Sequence, residues 1–312
     1  MTGPRVVSLL PSATELLCEI GAADLLVGRS HECDWPRAIV DRPTLTAQRT
    51  RGATSAEIDA EVRESMAGHR SLYTLDEGLL RDLAPDVILT QHLCEVCSID
   101  LAAVERVAAD LPTRPTILSL DPKDVFQVLD DLLSVGAAVG RERSAEEAMV
   151  RLRDRYWRAV DYVNPYVPGP EVLFLEWMDP VFVGGHWTPQ IIEAAGAGHS
   201  LNPPRAKSRM PAPEEILAAA PERVVVCPCG YGLDAIAREL PALVGQRWWP
   251  LLPAVLDGRP DRLVAVDGNQ MFNRPGPRLV DAFEWLVGWI NDRPELIPHG
   301  FPVRRLDELL PR

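Results

Sequence analysis

The chain has 312 residues, of which 46% are hydrophobic and 25% are charged, proportions that exclude wholesale disorder and are typical of soluble globular proteins. At roughly 150 residues per domain, this length predicts two domains or one large one. The 45 acidic and 32 basic side chains give a net charge of −13, which argues against a general nucleic-acid or anionic-membrane binder because phosphates would be repelled. No apolar run in the sequence approaches the roughly 20 residues of a transmembrane helix.

The first residues lack the pattern of an export signal, since no basic stretch precedes an apolar run and a small-residue cleavage site. Six cysteines in a chain of this length do not make a disulfide scaffold, so a reducing compartment is the simpler interpretation. We therefore expect a cytoplasmic protein, with a periplasmic location as the alternative if the chain has been shortened at its N-terminus.

Short apolar runs alternate with amphipathic stretches in the first 120 residues, a pattern typical of an α/β lobe with a mainly parallel sheet. Residues 12–15 and 54–57 both have the form of a capping box, which predicts helices that continue to about Ile20 and Met66. Gly21 is suited to end the first helix. The predicted strands cover residues 5–10, 25–28, 86–91 and 116–120.

Residues 121–163 are almost continuously helical in pattern, with a middle loosened by Gly136 and Gly140, and the proline-rich segment 164–170 ends them. A second α/β unit follows, with predicted strands over 171–176, 223–227 and 263–266. The predicted fold class is therefore α/β: two lobes (1–120 and 164–312), each a mainly parallel sheet with flanking helices, joined by a long backbone helix (121–163).

Most of the histidine, cysteine and tryptophan residues that could carry chemistry follow the carboxyl ends of predicted strands. Ligands of open parallel sheets bind at that edge, so we expect loops from both lobes to line one cleft. These residues, with neighbouring polar side chains, are His31, Glu32, Cys33, Asp34, Cys94, Cys97, Glu176, Trp177, His186, Trp187, Cys227, Cys229 and Tyr231.

These loops and the segment 7–15 resemble the helical-backbone (class III) substrate-binding proteins of ABC importers for cobalamin, haem and siderophores. The resemblance extends over about residues 5–290. It is closest to a subgroup labelled cobalamin-binding in segments 28–36, 90–97, 175–177, 185–189 and 228–231. The resemblance implies a binding protein without catalytic residues, a corrinoid or related tetrapyrrole or metal-chelate ligand in the cleft between the lobes, and an ABC permease as partner. The residues expected to line the cleft are Ser12, His31, Glu32, Trp177, His186, Trp187 and Tyr231.

The thiols support a second hypothesis. Cys94 and Cys97 have the spacing of a pair that chelates zinc or an iron–sulfur cluster, or that forms a redox disulfide, although two buried structural cysteines would look the same. If Cys33, Cys94, Cys97 and Cys229 converge, they form a tetrathiolate suited to either metal centre. The alternative function is thus a cytosolic metalloprotein or redox enzyme with a Cys/His site in the same cleft.

The imidazoles and indoles leave alternatives open as well. His31 and His186 could ligate a metal or the axial position of a tetrapyrrole, or simply bond a loop carbonyl. Trp177 and Trp187 could form walls for a flat ligand, although we expect one of the two to be a packing residue. The sequence has no G-x-S-x-G elbow, Walker loop, dinucleotide fingerprint or H-E-x-x-H helix, which removes the commonest enzyme classes and favours binding.

Overall fold

A computed structural model describes residues 3–68, 71–91 and 101–310 of the protein. These residues form two compact units, each of which is assembled from several parts of the chain. The first unit comprises Met1–Ala53, Ala60–Pro122 and Phe126–Arg153, and the second comprises Thr54–Asp59, Lys123–Val125 and Asp154–Arg312. The sequence instead placed the boundaries at residues 120 and 163.

The first unit is built on a parallel sheet of buried apolar strands. Its strands in chain order are β1 (Val6–Ser8), β2 (Leu26–Arg29), β3 (Thr46–Gln48), β4 (Tyr73–Leu75), β5 (Val87–Gln91) and β6 (Thr116–Leu120). Within the described ranges the sheet order is β2-β1-β5-β6, with every neighbour parallel, whereas β3 and β4 form a separate antiparallel pair. Continuous apolar runs suit strands that are covered on both faces, and β5 is buried over its whole length.

The helices up to residue 160 begin and end largely where local chemistry predicts. They are α1 (Pro11–Glu19), α2 (Ser55–Ala67), α3 (Glu77–Leu83), α4 (Leu101–Ala109), α5 (Val125–Val139) and α6 (Glu142–Val160).

The two predicted capping boxes have different outcomes. The box at α2 is confirmed, because the Thr54 amide donates to Glu57 Oε2 (3.2 Å) and the Glu57 amide donates to Thr54 Oγ1 (3.3 Å). The box at residues 12–15 is wrong, because α1 begins at Pro11 with Leu10 as its N-cap and no side-chain capping bond. Proline has a fixed φ and no N–H, so it takes the first helical position and moves the helix start ahead of Ser12.

The helical segment between the sheets consists of two helices rather than one. Gly140 adopts a positive φ of 67° between α5 and α6, and the Arg141 amide donates to the carbonyl of Gly136 (2.8 Å). A left-handed glycine directly after a helix is a common way to end it. Of the two glycines expected to loosen the helix, Gly140 interrupts it, whereas Gly136 lies within α5.

The second unit is built on a mixed sheet. Its strands are β7 (Val172–Met178), β8 (Val181–Val183), β9 (Arg223–Val226), β10 (Leu263–Val266) and β11 (Val303–Arg305). The order is β11-β10-β9-β7-β8 in the described chain, with β7, β9 and β10 parallel and an antiparallel strand at each edge. The helices are α7 (Thr188–Ala194), α8 (Pro213–Ala218), α9 (Leu233–Val244), α10 (Pro253–Leu256), α11 (Leu279–Ile290) and α12 (Leu306–Leu309). The α/β class predicted from the sequence is confirmed.

The carboxyl ends of β7, β9 and β10 lie at one edge of this second sheet because the three strands are parallel. Most of the candidate residues in the second half of the sequence therefore belong to that edge or to the loops that leave it. Among the described helices, none is long and apolar enough to cross a membrane.

Candidate functional site

His31 lies in the loop that follows β2 and is held by a threonine from β3. The hydroxyl of Thr46 lies 2.7 Å from His31 Nδ1 and accepts the His31 backbone amide at 3.1 Å. The same hydroxyl donates its one proton to Ser30 Oγ (3.0 Å). Because that proton is committed, Thr46 can only accept at Nδ1, which assigns the imidazole proton to Nδ1.

The opposite nitrogen of His31 is left as a bare acceptor. Nε2 is buried and has no hydrogen-bond partner among the described residues. Burial and the nearby Arg29 guanidinium lower the pKa of His31 below its usual value, so the neutral imidazole predominates at neutral pH. A neutral histidine whose Nδ1–H is fixed by an acceptor presents Nε2 in the form that ligates metals.

Glu32 and Ser12 also belong to the first unit. The hydroxyl of Tyr73 lies 3.4 Å from Glu32 Oε1, and its ring centroid lies 5.7 Å from that of His31. Glu32 is half-buried beside these two rings, where its carboxylate could accept a bond from a ligand. Ser12 is buried in the first turn of α1, so its hydroxyl has little exposure to solvent.

Cys33 is packed in the interior. Its side chain is 1% exposed, and its Sγ lies 3.1 Å from the hydroxyl of Thr14 in α1. The polar sequence around Cys33 favoured a thiol that faces a ligand or metal, but its surroundings are those of a structural cysteine. Cys18, expected in the core, is partly buried, and burial raises its pKa to about 12, which leaves an unreactive thiol.

At the carboxyl edge of the second sheet, Glu176 fastens two loops to β7. Its Oε1 accepts the hydroxyl of Ser208 (2.7 Å), and its Oε2 accepts the amide of Gly185 (3.1 Å). A side chain at Gly185 would collide with the backbone of residues 206–208, so this close approach requires glycine. The Glu176 carboxylate thus has a structural role in positioning the loop that carries His186.

His186 and Trp187 leave β8 in an unusual backbone conformation. His186 has φ of 55°, its amide donates to the carbonyl of Ala206 (2.6 Å), and its own carbonyl accepts the amide of Arg205 (2.8 Å). Trp187 is buried, and its indole N–H donates to the carbonyl of Phe272 (2.7 Å). Trp187 is therefore the packing member of the tryptophan pair, and it supports the half-buried ring of His186 at 5.6 Å.

Trp177 and Tyr231 form an edge-to-face pair with ring centroids 5.2 Å apart. The indole N–H of Trp177 donates to the carbonyl of Ser55 (3.2 Å), a residue of the second unit. Tyr231 hydrogen-bonds the carboxylate of Glu239, and burial together with this bond raises the pKa of its hydroxyl above the usual value. Trp177 and Tyr231, two of the residues expected to line the cleft, are thus adjacent, and both have protein partners.

Cys227 and Cys229 follow β9 but differ in environment. Cys227 is fully buried, its pKa is raised by burial, and the amide of Asn273 donates to its carbonyl (2.9 Å) and contacts its sulfur (3.6 Å). Cys229 is partly exposed, and its amide donates to the carbonyl of Glu176 (3.1 Å). Of the two thiols, Cys229 is the accessible one, as the sequence favoured.

The predicted thiol metal centre stays a prediction. Cys94 and Cys97, its sharpest motif, lie outside the described residues. Within the ranges that the structure describes, no group of three or more histidine, cysteine, aspartate or glutamate side chains is arranged to hold a metal ion. The remaining proposed ligands, Cys33 and Cys229, belong to different units.

Three residues that the sequence did not single out complete these arrangements. Thr46 fixes the tautomer of His31, Glu239 binds Tyr231, and Asn273 holds the loop after β9. None of these contacts joins adjacent residues, since Thr46 lies 15 positions from His31 and Asn273 lies 46 positions from Cys227, so no local motif identifies them. The capping box at 54–57 was visible, but it did not reveal that Ser55 contacts Trp177.

Neither a protein-family model nor a curated protein matches the sequence, but solved structures do. The periplasmic vitamin B12-binding protein of Vibrio cholerae has a TM-score of 0.66 and 17% identity, over 94% of this chain and 98% of that chain. A periplasmic heme-binding protein from Pseudomonas aeruginosa matches with a TM-score of 0.69 and 21% identity, over 93% of this chain and 94% of that chain. A possible iron-binding periplasmic solute-binding protein from Staphylococcus epidermidis matches with a TM-score of 0.68 and 20% identity, over 93% of this chain and 99% of that chain.

These similarities contradict the expectation of a cytoplasmic protein, because the matching structures are those of periplasmic proteins. The expectation relied partly on cysteines as a sign of a reducing compartment, yet Cys33 and Cys227 are buried. Buried thiols are protected from oxidation in any compartment, so they carry little information on location. The resemblance inferred from the sequence is confirmed at the level of architecture: the chain has the fold of the class III periplasmic substrate-binding proteins.

Proposed function

We propose that this protein is an extracytoplasmic binding protein for a tetrapyrrole-type metal chelate, a corrinoid or a heme, and that it delivers the ligand to an ABC permease. The fold it shares with B12-binding and heme-binding proteins over more than 90% of their length supports this class of ligand. The observation that carries the proposal is the imidazole of His31, whose Nε2 is buried, deprotonated and without a partner among the described residues.

A metal chelate with an exchangeable coordination position would satisfy this nitrogen. An unpaired buried acceptor costs free energy, and coordination to the open axial position of a chelated metal would recover it. The Nδ1–H bond to Thr46 orients the ring and increases the basicity of Nε2. The low pKa of His31 keeps protons from competing with the metal at neutral pH.

The other candidate residues have supporting roles in this proposal. Glu32 and the half-buried His186 supply polar contacts, while Trp177 and Tyr231 supply flat apolar surface. Trp187 acts by packing behind His186, and Ser12 contributes the start of α1 rather than an exposed hydroxyl.

The test is a visible-absorption titration with hemin and with hydroxocobalamin. Coordination by His31 should shift the absorption bands of at least one probe. The variant His31→Ala should lose that shift and bind at least about tenfold more weakly. The matched control is His299→Ala, because His299 is exposed near the C-terminus, and it should behave as wild type. Unchanged spectra for both probes, or a His31→Ala variant that shifts them as wild type does, would overturn the proposal.

A further inference from the structure

The beginning of α2 is bound by a single carboxylate of the second unit. We call residues 54–59, which belong to that unit, the strap. The amide of Ser55 donates to both oxygens of Glu239 (3.0 and 2.9 Å), and its hydroxyl donates to Oε2 of the same carboxylate. Three charge-assisted contacts thus converge on one side chain, and bonds of this kind are stronger than neutral ones.

The strap also contacts the aromatic pair at Trp177. The carbonyl of Ser55 accepts the indole N–H of Trp177 (3.2 Å), and Tyr231 hydrogen-bonds the same Glu239 carboxylate that holds Ser55. We call Trp177, Tyr231 and Glu239 the cradle. Every polar group named in the cradle is therefore engaged by Ser55 or by another member of the cradle.

Beyond Ser55 the strap has little apolar burial. Of the thirteen residues of α2, all of them described, Ser55 is the one that is buried. Ile58 adds a partly buried apolar contact with the core of the second unit. A segment with so little apolar burial opens locally at a lower cost than the core does.

We propose that the strap occupies the cradle when no ligand is bound and that ligand binding displaces it. This inference rests on the proposed function, because it assigns Trp177 and Tyr231 to the ligand-contacting surface. Ser55 presents two donors and one carbonyl acceptor to the cradle, so the strap engages polar groups beside the aromatic pair that a ligand would contact. Because only molecules with an open strap can bind, the apparent affinity equals the intrinsic affinity multiplied by the fraction of molecules in which the strap is open.

Hydrogen exchange of the full-length protein, followed by mass spectrometry, tests the hold of the strap without any ligand. The variants Glu239→Gln and Ser55→Ala should each speed exchange in residues 54–59 at least about fivefold, because the first removes the charge from all three contacts and the second removes the hydroxyl contact. The matched control is Glu171→Gln, since Glu171 accepts both the amide and the hydroxyl of Ser200 (2.6 Å each) in the same unit. The control should leave the strap unchanged. Wild-type exchange in residues 54–59 of both variants would overturn the proposal.

Saturating hemin or hydroxocobalamin tests the competition. A bound probe should speed exchange in residues 54–59 of the wild type, and Glu239→Gln should bind the probe about three- to tenfold more tightly. Slower exchange in this segment on binding, or weaker binding by Glu239→Gln, would refute displacement and show that the segment closes onto the ligand. If neither probe binds any variant while Glu239→Gln still speeds exchange, the strap stands and the proposed function fails.

Discussion

Replacing Thr46 by valine should disable His31 without altering any atom of the imidazole. Valine has nearly the same shape as threonine but lacks the hydroxyl that contacts His31 Nδ1, the His31 amide and Ser30 Oγ. Without that acceptor the imidazole is free to place its proton on Nε2, the nitrogen proposed to meet the metal. The variant should therefore bind hemin or hydroxocobalamin about tenfold more weakly than wild type.

The same change carries a measurable cost in stability. Thr46 is 6% exposed, so water cannot replace the lost hydroxyl. The two lost side-chain hydrogen bonds are worth about 1 kcal/mol each and the unsatisfied buried amide costs about 1–3 kcal/mol, which gives an expected loss of about 3–5 kcal/mol. A urea titration followed by circular dichroism should show this loss as a midpoint lowered by about 1 M.

Thr46→Ser is the matched control, because it retains the hydroxyl and should bind the probes as wild type does. The decisive comparison is made well below the unfolding midpoint, where all variants are folded. If folded Thr46→Val gives the same affinity and the same spectral shift as wild type, the tautomer argument is incorrect.

Three further predictions concern stability and reactivity. Arg155 forms two partly buried ion pairs with carboxylates of α11, those of Asp281 and Glu284. Arg155→Ala should lower the free energy of unfolding in urea by about 1–3 kcal/mol. Equal stability of this variant and the wild type would contradict a structural role. Burial lowers the pKa of His199 below the ordinary histidine value of 6.5, so the free energy of unfolding should fall as the pH drops from 6.5 toward that lowered pKa. The variant His199→Gln should lose part of this pH dependence. An identical acid-unfolding profile for the variant and the wild type would refute the prediction. A thiol reagent should label Cys229 in the folded protein but reach the buried Cys227 only on unfolding; mass mapping that finds both labelled at equal rates would contradict the burial.

Local rules predicted the local features of this fold. The capping residues Thr54 and Glu57 and the stop at Gly21 are short-range effects, and both are present in the structure. The start of α1 was misplaced because two local rules competed there, and Pro11 prevailed over Ser12. Gly140 shows a related limit, since a glycine in a helical pattern can bend the helix or end it, and its left-handed backbone ends it.

The candidate sites were predictable as far as strand topology determines them. Parallel strands bring their carboxyl ends to one edge, which is why Trp177 and Tyr231 are neighbours although 54 positions separate them. The sequence could not show that Cys33 is packed against α1, because burial depends on the arrangement of elements and not on the polarity of adjacent residues. Nor could it identify Thr46 or Glu239, whose roles come from hydrogen bonds to residues that are not their neighbours in the sequence.

The interleaved composition of the two units has a consequence for attempts to dissect the protein. Each unit draws on separated stretches of chain, and the last division falls inside α6, between Arg153 and Asp154. No single cut of the chain therefore separates the two units completely, and a fragment made by one cut would lack a chain segment that belongs to its unit. Expression of one half alone should give an aggregating or partly folded product, whereas two fragments cut within an exposed loop and produced together could reassemble.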